Sequence, residues 1–253
     1  MAACGKFHRL QKSTDTEKKY TAAVEYYEKG DYYRALALFE ELISIYKGTK
    51  KAEKIYYYYA YCYYNQEDHV MAGYHFENFA KTFPNSDKAE ECQFMNAYCY
   101  YKDSPGPTLD QENTHKAIRE LQLFVNKYPK SARVTQCNDL LDMLRDKLLR
   151  KDYANAKLYF HMTDYKSAMV ALRNVLKEYP ECKYKEECLF LITKSNYLLA
   201  TNSIDEKKEK RFKDTILAYY KFIDAFPNSK FLKEAELMFD TSHKMAEKYK
   251  QLN

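Results

Sequence analysis

The sequence predicts an all-α protein, a solenoid of five stacked helix pairs that ends in a C-terminal capping helix. One observation is a repeat of 37 residues in which small and aromatic side chains return at fixed places, as in Ala23, Ala60 and Ala97. Such a period is typical of stacked supersecondary units. The other is composition, because the 253 residues include only five glycines and six prolines, and no apolar run approaches the length of a membrane span.

The second helix of each predicted pair is defined by the residues that end it. Small or apolar residues stand twelve, eight and five positions before a proline, on one face of a helix that proline cannot continue. In the first pair Lys47 takes the place of the proline and Gly48 supplies the stop. The prolines are Pro84, Pro129, Pro180 and Pro227, and the residues twelve positions earlier are Ala35, Ala72, Ala117, Ala168 and Thr215.

The first helix of each pair is equally regular. Ala23, Ala60 and Ala156 stand twelve residues before the alanines of the second helices, and a tyrosine follows each after three residues. Small residues that face each other let two helix axes approach closely. The pattern resembles the tetratricopeptide repeat, which implies a right-handed superhelical solenoid. We place the five copies at residues 16–48, 51–84, 88–129, 150–180 and 185–227.

Departures from the regular spacing define the predicted domain organisation. Asp103 to Pro107 is predicted as a loop insertion, and the charged run from Asp205 to Arg211 as a second insertion. An uninterrupted helical pattern separates the third copy from the fourth, and Ser229 to Leu252 forms the cap. The predicted segments are a flexible N-terminal linker at 1–15, repeats 1–3 at 16–131, a long connecting helix at 132–151, and repeats 4–5 with the cap at 152–253.

Charge and ligand patterns limit the function. Lys and Arg total 41 against 36 acidic residues, and the net charge of +5 gives no concentrated basic face for nucleic acid. Six of the seven cysteines recur at repeat positions, which favours buried packing over metal binding or disulfides. The six histidines form no ligand or nucleophile pattern, and no glycine-rich phosphate loop is present. We therefore predict no metal, no cofactor and no enzymatic activity.

A basic run in the fifth pair has two interpretations. Runs of this kind are ordinarily a solvated helix face, and they also serve as contacts to a partner protein. Both interpretations stay open at this point. The residues are Lys207, Lys208, Lys210 and Arg211.

Cys4 differs from the other cysteines because it precedes every repeat. It follows Ala2 and Ala3 and stands before Gly5 and a polar stretch. Small residues before a cysteine resemble the end of a bacterial lipobox, in which the thiol is acylated after export. We therefore expect residues 1–3 to include a remnant of a signal and Cys4 to carry lipid. The alternative is an accidental free thiol.

Several motifs resemble one family. They are Leu10 to Asp15 after Cys4, Ala23 to Ala35, Phe76 to Phe79 with Phe83-Pro84-Asn85-Ser86, and Asp103-Ser104-Pro105. They are similar to the BamD family, the tetratricopeptide lipoproteins of the outer-membrane β-barrel assembly machinery, in a version like that of Bacteroidetes-type bacteria. The resemblance implies a periplasmic protein held to the outer membrane by lipid on Cys4. It also implies that repeats 4–5 and the cap bind the BamA periplasmic region, and that the protein helps to receive unfolded outer-membrane proteins.

A peptide-binding groove is predicted on the first helices of repeats 1–3. Residues three before, one after and four after each of Ala23, Ala60 and Ala97 share a helix face and are nearly all aromatic. Tyrosine combines apolar area with a polar group, which suits a surface that accepts varied extended peptides. The alternative is that these rings pack between repeats. The predicted groove residues are Tyr20, Tyr27, Tyr57, Tyr61, Tyr64, Phe94, Tyr98 and Tyr101.

Two functions therefore remain open. The first is an assembly lipoprotein of the BamD type. The second is another tetratricopeptide adaptor of the periplasm or cytosol, such as a cell-division or pilus-assembly factor or a cochaperone. Either is a binding protein rather than an enzyme.

Overall fold

The computed structural model describes residues 2–251, with side chains described from Phe7 onward. Within this range the chain forms twelve α-helices and no strand. This confirms the all-α fold of paired helices with a C-terminal cap. The helices are α1 (Ala2–Gln11), α2 (Thr16–Glu28), α3 (Tyr32–Ile45), α4 (Lys50–Asn65), α5 (His69–Thr82), α6 (Ala89–Lys102), α7 (Glu112–Lys127), α8 (Val134–His161), α9 (Tyr165–Glu178), α10 (Lys185–Thr201), α11 (Asp205–Ala225) and α12 (Leu232–Lys250).

The chain divides into two compact units, residues 1–145 and 146–253, with the boundary inside α8. In unit 1, α2 to α7 pack in chain order, each helix on the next. In unit 2, the C-terminal part of α8 forms the fourth pair with α9, α10 packs on α9 and α11, and α12 caps α11. Across residues 2–251, helices are either too short or too polar to traverse a lipid bilayer.

The prediction that residues 1–15 form a flexible linker is wrong, because residues 2–11 form α1. The Phe7 ring packs edge-on against the Tyr26 ring of α2, with centroids 5.7 Å apart. The Arg34 guanidinium lies 5.7 Å from both ring centroids. The aromatic contact and the cation above it hold α1 against the first pair.

Two further boundaries differ from the prediction. The connecting helix predicted at 132–151 begins at Val134 and continues to His161, so it includes the first helix of the fourth pair. It ends before Thr163, whose φ of 61° is left-handed and incompatible with continuing the helix. The charged run from Asp205 to Arg211 is not a loop, because it forms the first turns of α11. Two acidic residues in the first turn stabilise that helix start through the helix dipole.

A small residue from each helix of a pair is fully buried in every repeat. In the fifth pair threonine replaces alanine, and the hydroxyls of Thr193 and Thr215 donate to carbonyl oxygens of Leu189 and Arg211 at 3.0 Å. Each hydroxyl is thus satisfied within its own helix, so the position still tolerates close packing. The pairs with no exposed surface are Ala23 and Ala35, Ala60 and Ala72, Ala97 and Ala117, Ala156 and Ala168, and Thr193 and Thr215.

A serine that follows three of the prolines links adjacent repeats. Its hydroxyl donates to a glutamate on the first helix of the preceding pair, and its oxygen accepts the backbone N–H two residues on. In the fourth repeat Cys182 replaces the serine and Leu149 replaces the glutamate, and both lie in one apolar cluster. The polar pair is therefore replaced as a unit, which leaves neither partner unsatisfied. The pairs are Ser86–Glu53, Ser131–Glu90 and Ser229–Glu186.

Replacing Ala60 by leucine tests the close approach of the helices. The larger side chain enters a site with no exposed surface, so we expect the free energy of unfolding to fall by about 1–3 kcal/mol. Ala154→Leu, at an exposed position of α8, is the control and should change it by less than about 0.5 kcal/mol. Chemical denaturation measures both. Similar losses for the two variants would contradict the close-packing interpretation.

Candidate peptide-binding groove and basic surface

The predicted groove residues lie on α2, α4 and α6 in three rows at helical spacing. Seven of the eight are half-buried, whereas Phe94 is only 2% exposed. Phe94 therefore belongs to the core and not to an exposed groove, which corrects the prediction for this residue. The first row is Tyr20, Tyr57 and Phe94, the second is Tyr61 and Tyr98, and the third is Tyr27, Tyr64 and Tyr101.

Each first-row ring in unit 1 is covered by a cation from the start of the next repeat. The covering residue stands two positions after the linking serine, or after Thr49 in the first repeat. A cation over a ring face is attracted by the ring quadrupole, so these contacts join one repeat to the next. The distances from cation to ring centroid are 5.6 Å for Lys51 over Tyr20, 5.4 Å for Lys88 over Tyr57 and 4.5 Å for Arg133 over Phe94.

In unit 2 an aromatic ring takes the place of the covering cation. Tyr184 stacks on Tyr153 with centroids 4.0 Å apart, and Phe231 stacks on Phe190 at 4.3 Å. Tyr153 and Phe190 are both buried. The first row therefore packs between repeats, as the alternative interpretation of the rings expects.

The second row supplies a hydrogen-bond donor toward the next repeat. The Tyr61 hydroxyl donates to Glu91 Oε1 at 2.6 Å, and burial together with this carboxylate raises the pKa of Tyr61. Burial alone would raise the pKa of Glu91, but hydrogen bonds from Tyr61 and Tyr57 and the charges of Lys88 and Arg133 hold it below its usual value. Lysine is the donor at the same position in unit 2, as in Lys157–Glu187 at 2.9 Å and Lys194–Glu234 at 2.7 Å.

Four half-buried rings of the second and third rows pack against one core cluster, and we call them the tyrosine patch. Within the third repeat two rings stack at 5.5 Å with an interplanar angle of 26°. In the second repeat the two rings meet edge-on at 6.2 Å. Over residues 2–251, the hydroxyls of Tyr98 and Tyr101 form no hydrogen bond, so both are available to a ligand. The tyrosine patch consists of Tyr61, Tyr64, Tyr98 and Tyr101.

A cavity of about 400 Å³ beside Tyr57 was not predicted from the sequence. Tyr58 contributes a second ring to its wall, and five charged residues surround the opening. The sequence signal for this site is Lys88, which stands 37 residues after Lys51. The spacing places a lysine in register with each first-row ring of these two repeats. The charged residues are Lys50, Glu53, Lys54, Asp87 and Lys88.

The predicted partner-docking residues divide into two groups. Lys207 and Lys210 are exposed on the first turns of α11. Lys208 instead donates to Asp205 at 2.9 Å and to the Tyr249 hydroxyl at 3.2 Å, and these bonds raise its pKa. Arg211 is half-buried and donates to Ser203 Oγ. Lys208 and Arg211 therefore hold the start of α11, whereas Lys207 and Lys210 face solvent.

A cavity of about 620 Å³ in unit 2 was also missed. Both α9 and α11 pack on α10, and the cavity is lined by residues of these three helices. We call it the α9–α11 groove. Its lining includes the bases Lys166, Arg173, Arg211 and Lys221, the single acid Asp214, and an apolar floor and walls that include Ile192, Leu199 and Leu217.

The described cysteines are free thiols packed among other side chains, and all but the half-buried Cys182 are buried. Burial raises the pKa of the Cys62, Cys99 and Cys188 thiols to about 12, which disfavours the thiolate that a metal or a nucleophilic reaction requires. In the part of the chain that the structure describes, His, Cys, Asp and Glu form no cluster of three or more that could hold a metal ion. The predicted lipidation site, Cys4, lies outside the described side chains.

Tyr61→Phe tests the bond between Tyr61 and Glu91. A carboxyl whose pKa is lowered by folding stabilises the fold above its unfolded value of 4.5, and this stabilisation is lost as the pH falls through the folded value. Phenylalanine keeps the ring and removes the donor, so we expect a deficit of about 1 kcal/mol in unfolding free energy near neutral pH. The deficit should shrink below pH 4.5. Tyr33→Phe, at a residue 75% exposed, is the control, and a deficit independent of pH would contradict the assignment.

Comparison with solved structures finds tetratricopeptide folds. The crystal structure of the P58(IPK) TPR domain is 13% identical, with 95% of this chain covered, 66% of that chain covered and a TM-score of 0.44. The chain thus spans just under two thirds of that structure. The TPR2AB domain of yeast Sti1 in its pHSP90 complex is also 13% identical, with 94% of this chain covered, 96% of that chain covered and a TM-score of 0.44. The comparison with curated proteins gives no match.

A protein-family model gives the stronger result. The model described as YfiO, outer membrane lipoprotein, matches residues 12–212. This range contains every predicted groove residue and the basic run of α11, while Cys4 lies before it. The match covers well over half of the 253 residues. The chain therefore belongs to the YfiO family of outer membrane lipoproteins, which confirms the resemblance to BamD.

Proposed function

We propose that this protein is a non-catalytic component of the β-barrel assembly complex, anchored by lipid on Cys4 at the periplasmic face of the outer membrane. It scaffolds BamA and receives unfolded outer-membrane proteins for folding and insertion. Family membership supports the outer-membrane setting. The observation that carries the receiving role is the tyrosine patch, where half-buried rings lie beside hydroxyls without a hydrogen-bond partner.

The tyrosine patch suits the C-terminal strand of an unfolded barrel protein. Such strands carry aromatic residues at alternate positions, so their side chains repeat along one edge of an extended peptide. Rings from successive repeats offer several weak contacts and tolerate variation in sequence. The unpartnered hydroxyls of Tyr98 and Tyr101 would bond the peptide backbone. Because the two rings are already stacked at 5.5 Å, little ordering of the receptor opposes binding.

The expected affinity follows from these contacts. One well-buried aromatic contact contributes roughly 1–3 kcal/mol. Two or three such contacts, less the ordering of the peptide, correspond to a Kd of about 1 μM or weaker. A receptor that must release its client to a neighbouring insertase is served by binding of this strength.

BamA docking is assigned to repeats 4–5 and the cap, residues 152–253. The exposed Lys207 and Lys210 of α11 are the proposed rim contacts. Lys208 is excluded from this role because its ammonium group is already bonded to Asp205 and Tyr249. Contacts between exposed charges weaken as the salt concentration rises, so the docking surface is expected to be salt-sensitive.

The double variant Tyr98→Ala/Tyr101→Ala tests the receiving role. Removing both stacked rings should weaken a fluorescent peptide from the C-terminus of a barrel protein by about tenfold or more, the equivalent of 1.4 kcal/mol. Fluorescence anisotropy measures the affinity. Copurification with BamA should be unchanged, because the docking surface lies in the other unit.

The matched control is Tyr33→Ala/Tyr74→Ala, which removes two tyrosines that are 75% and 55% exposed on α3 and α5. It should bind the peptide like the wild type. A photo-crosslinking amino acid at position 101 or 33 of the otherwise unchanged protein avoids any loss of folding. Crosslinks at position 33 and none at 101 would place the peptide elsewhere.

Cys4→Ala tests the anchor. With an export signal placed before the chain, the wild type should incorporate radioactive fatty acid and fractionate with the outer membrane, whereas the variant should do neither. Stable anchoring takes more than one acyl chain, as lipoprotein modification supplies. Cys182→Ala, which removes a half-buried thiol within the repeats, should label normally. Undiminished labelling of Cys4→Ala would exclude Cys4 as the site.

A further inference from the structure

We propose that the α9–α11 groove binds an acidic amphipathic helix of a partner protein. This surface is distinct from the tyrosine patch and from Lys207 and Lys210, the proposed rim contacts of α11. The inference does not rest on the proposed function, because it follows from the shape and charge of unit 2 alone.

The shape of the groove suits the apolar face of a helix. Ile192 forms a buried part of the floor, and Leu199 beside it is half-buried. Leu217 lines the groove and remains 60% exposed, although a core position lies one residue further along α11. A cavity of about 620 Å³ accommodates several side chains, and anchors at i, i+3, i+4 and i+7 are the usual mode of helix-in-groove binding.

The walls have the spacing that such a helix requires. On α9 the lining residues include Met169, Arg173 and Leu176, at intervals of four and three. On α11 Asp214, Leu217 and Lys221 line it at intervals of three and four. Each wall therefore presents one helical ridge to the groove, and a third helix packs between two such ridges in the way that neighbouring helices of the protein pack.

The charge of the groove identifies the partner as acidic. Four bases line it against one acid. Among residues 2–251, Arg173 and Lys221 form no salt bridge, whereas Lys213 of α11 and Lys185 at the start of α10 each pair with a glutamate four residues earlier in the chain. Lys213 bonds Glu209 at 2.6 Å, and Lys185 at the start of α10 bonds Glu181 at 3.1 Å. Unneutralised cations around an apolar floor favour a ligand whose carboxylates flank an apolar stripe.

The stems of the basic residues add to this fit. Arg173 and Lys221 are exposed, so their charged groups stay hydrated and lose little on binding. Their aliphatic stems would cover the edges of a bound helix. Lys166 and Arg211 complete the basic rim at other points of the lining.

The test uses the full chain and a fluorescein-labelled designed peptide of about 18 residues, long enough to form a helix. The peptide carries leucine at i, i+3, i+4 and i+7 and glutamate on its other faces. We expect binding that weakens with salt and that Arg173→Glu/Lys221→Glu weakens by about tenfold or more. Lys233→Glu/Lys244→Glu, the same charge change at exposed positions of α12, should bind within about twofold of the wild type.

Other outcomes overturn the inference. No binding to the wild type, or equal weakening by both double variants, would remove the groove as the site. Undiminished binding of a peptide interrupted by two prolines would identify an extended segment as the ligand. If Arg173→Glu/Lys221→Glu binds the peptide like the wild type but loses binding to vesicles of phosphatidylcholine with phosphatidylglycerol, the ligand would be a lipid surface.

Two further measurements make the result specific. Leu217→Ser removes an apolar lining residue without changing charge and should also weaken the designed peptide, while Leu237→Ser, 67% exposed on α12, should not. Because the substituted residues are exposed, circular dichroism should show an unchanged helical content. Tyr98→Ala/Tyr101→Ala should bind the acidic peptide normally, so failure of the groove and failure of the tyrosine patch are distinguishable.

Discussion

The close approach of the two helices in every pair is the constraint on which the rest of the structure depends. It admits only alanine or threonine at the crossing, and all ten such residues lack exposed surface. Larger side chains must lie on either side of the crossing, so the aromatic residues of the first helices occupy fixed rows. The row then determines the role of the ring. First-row rings pack against the next repeat, whereas third-row rings such as Tyr64 and Tyr101 stay half-buried at the surface.

A short segment after each proline converts isolated pairs into a stack. Except after Pro180, where Cys182 takes its place, a serine accepts a backbone N–H at the start of the next helix and donates to a glutamate of the preceding pair, as Ser131 does with Glu90 at 2.5 Å. The residue two positions on covers the first-row ring of that same pair, as Arg133 covers Phe94. Packing, capping and linkage between repeats thus depend on five consecutive residues, because all three contacts converge on one turn of the chain.

Much of this fold could be predicted because its period is short and proline marks each helix end. Where the predicted helix boundaries were wrong, the sequence carried no local signal for the start or end of the helix. Among the described side chains of α1, only Phe7 and Leu10 are apolar, and α8 has no breaker that would separate a connecting helix from the fourth pair. In unit 1 Phe94 shares its repeat position with two tyrosines, and the missing hydroxyl is the one sign that it is buried. The α9–α11 groove joins residues from Lys166 to Lys221 on three helices, so no sequence window contains its pattern.

The cover over each first-row ring comes from the C-terminal neighbour, and this gives the stack a polarity. During synthesis the first-row ring of a repeat stays uncovered until the next repeat emerges. Phe190 is covered only when Phe231, just before the last helix, has been made. Loss of structure from the two ends is therefore unequal. For the contact between a first-row ring and its cover, loss of the C-terminal partner bares an aromatic ring, whereas loss of the N-terminal partner leaves a lysine such as Lys51 in water, where it is well solvated.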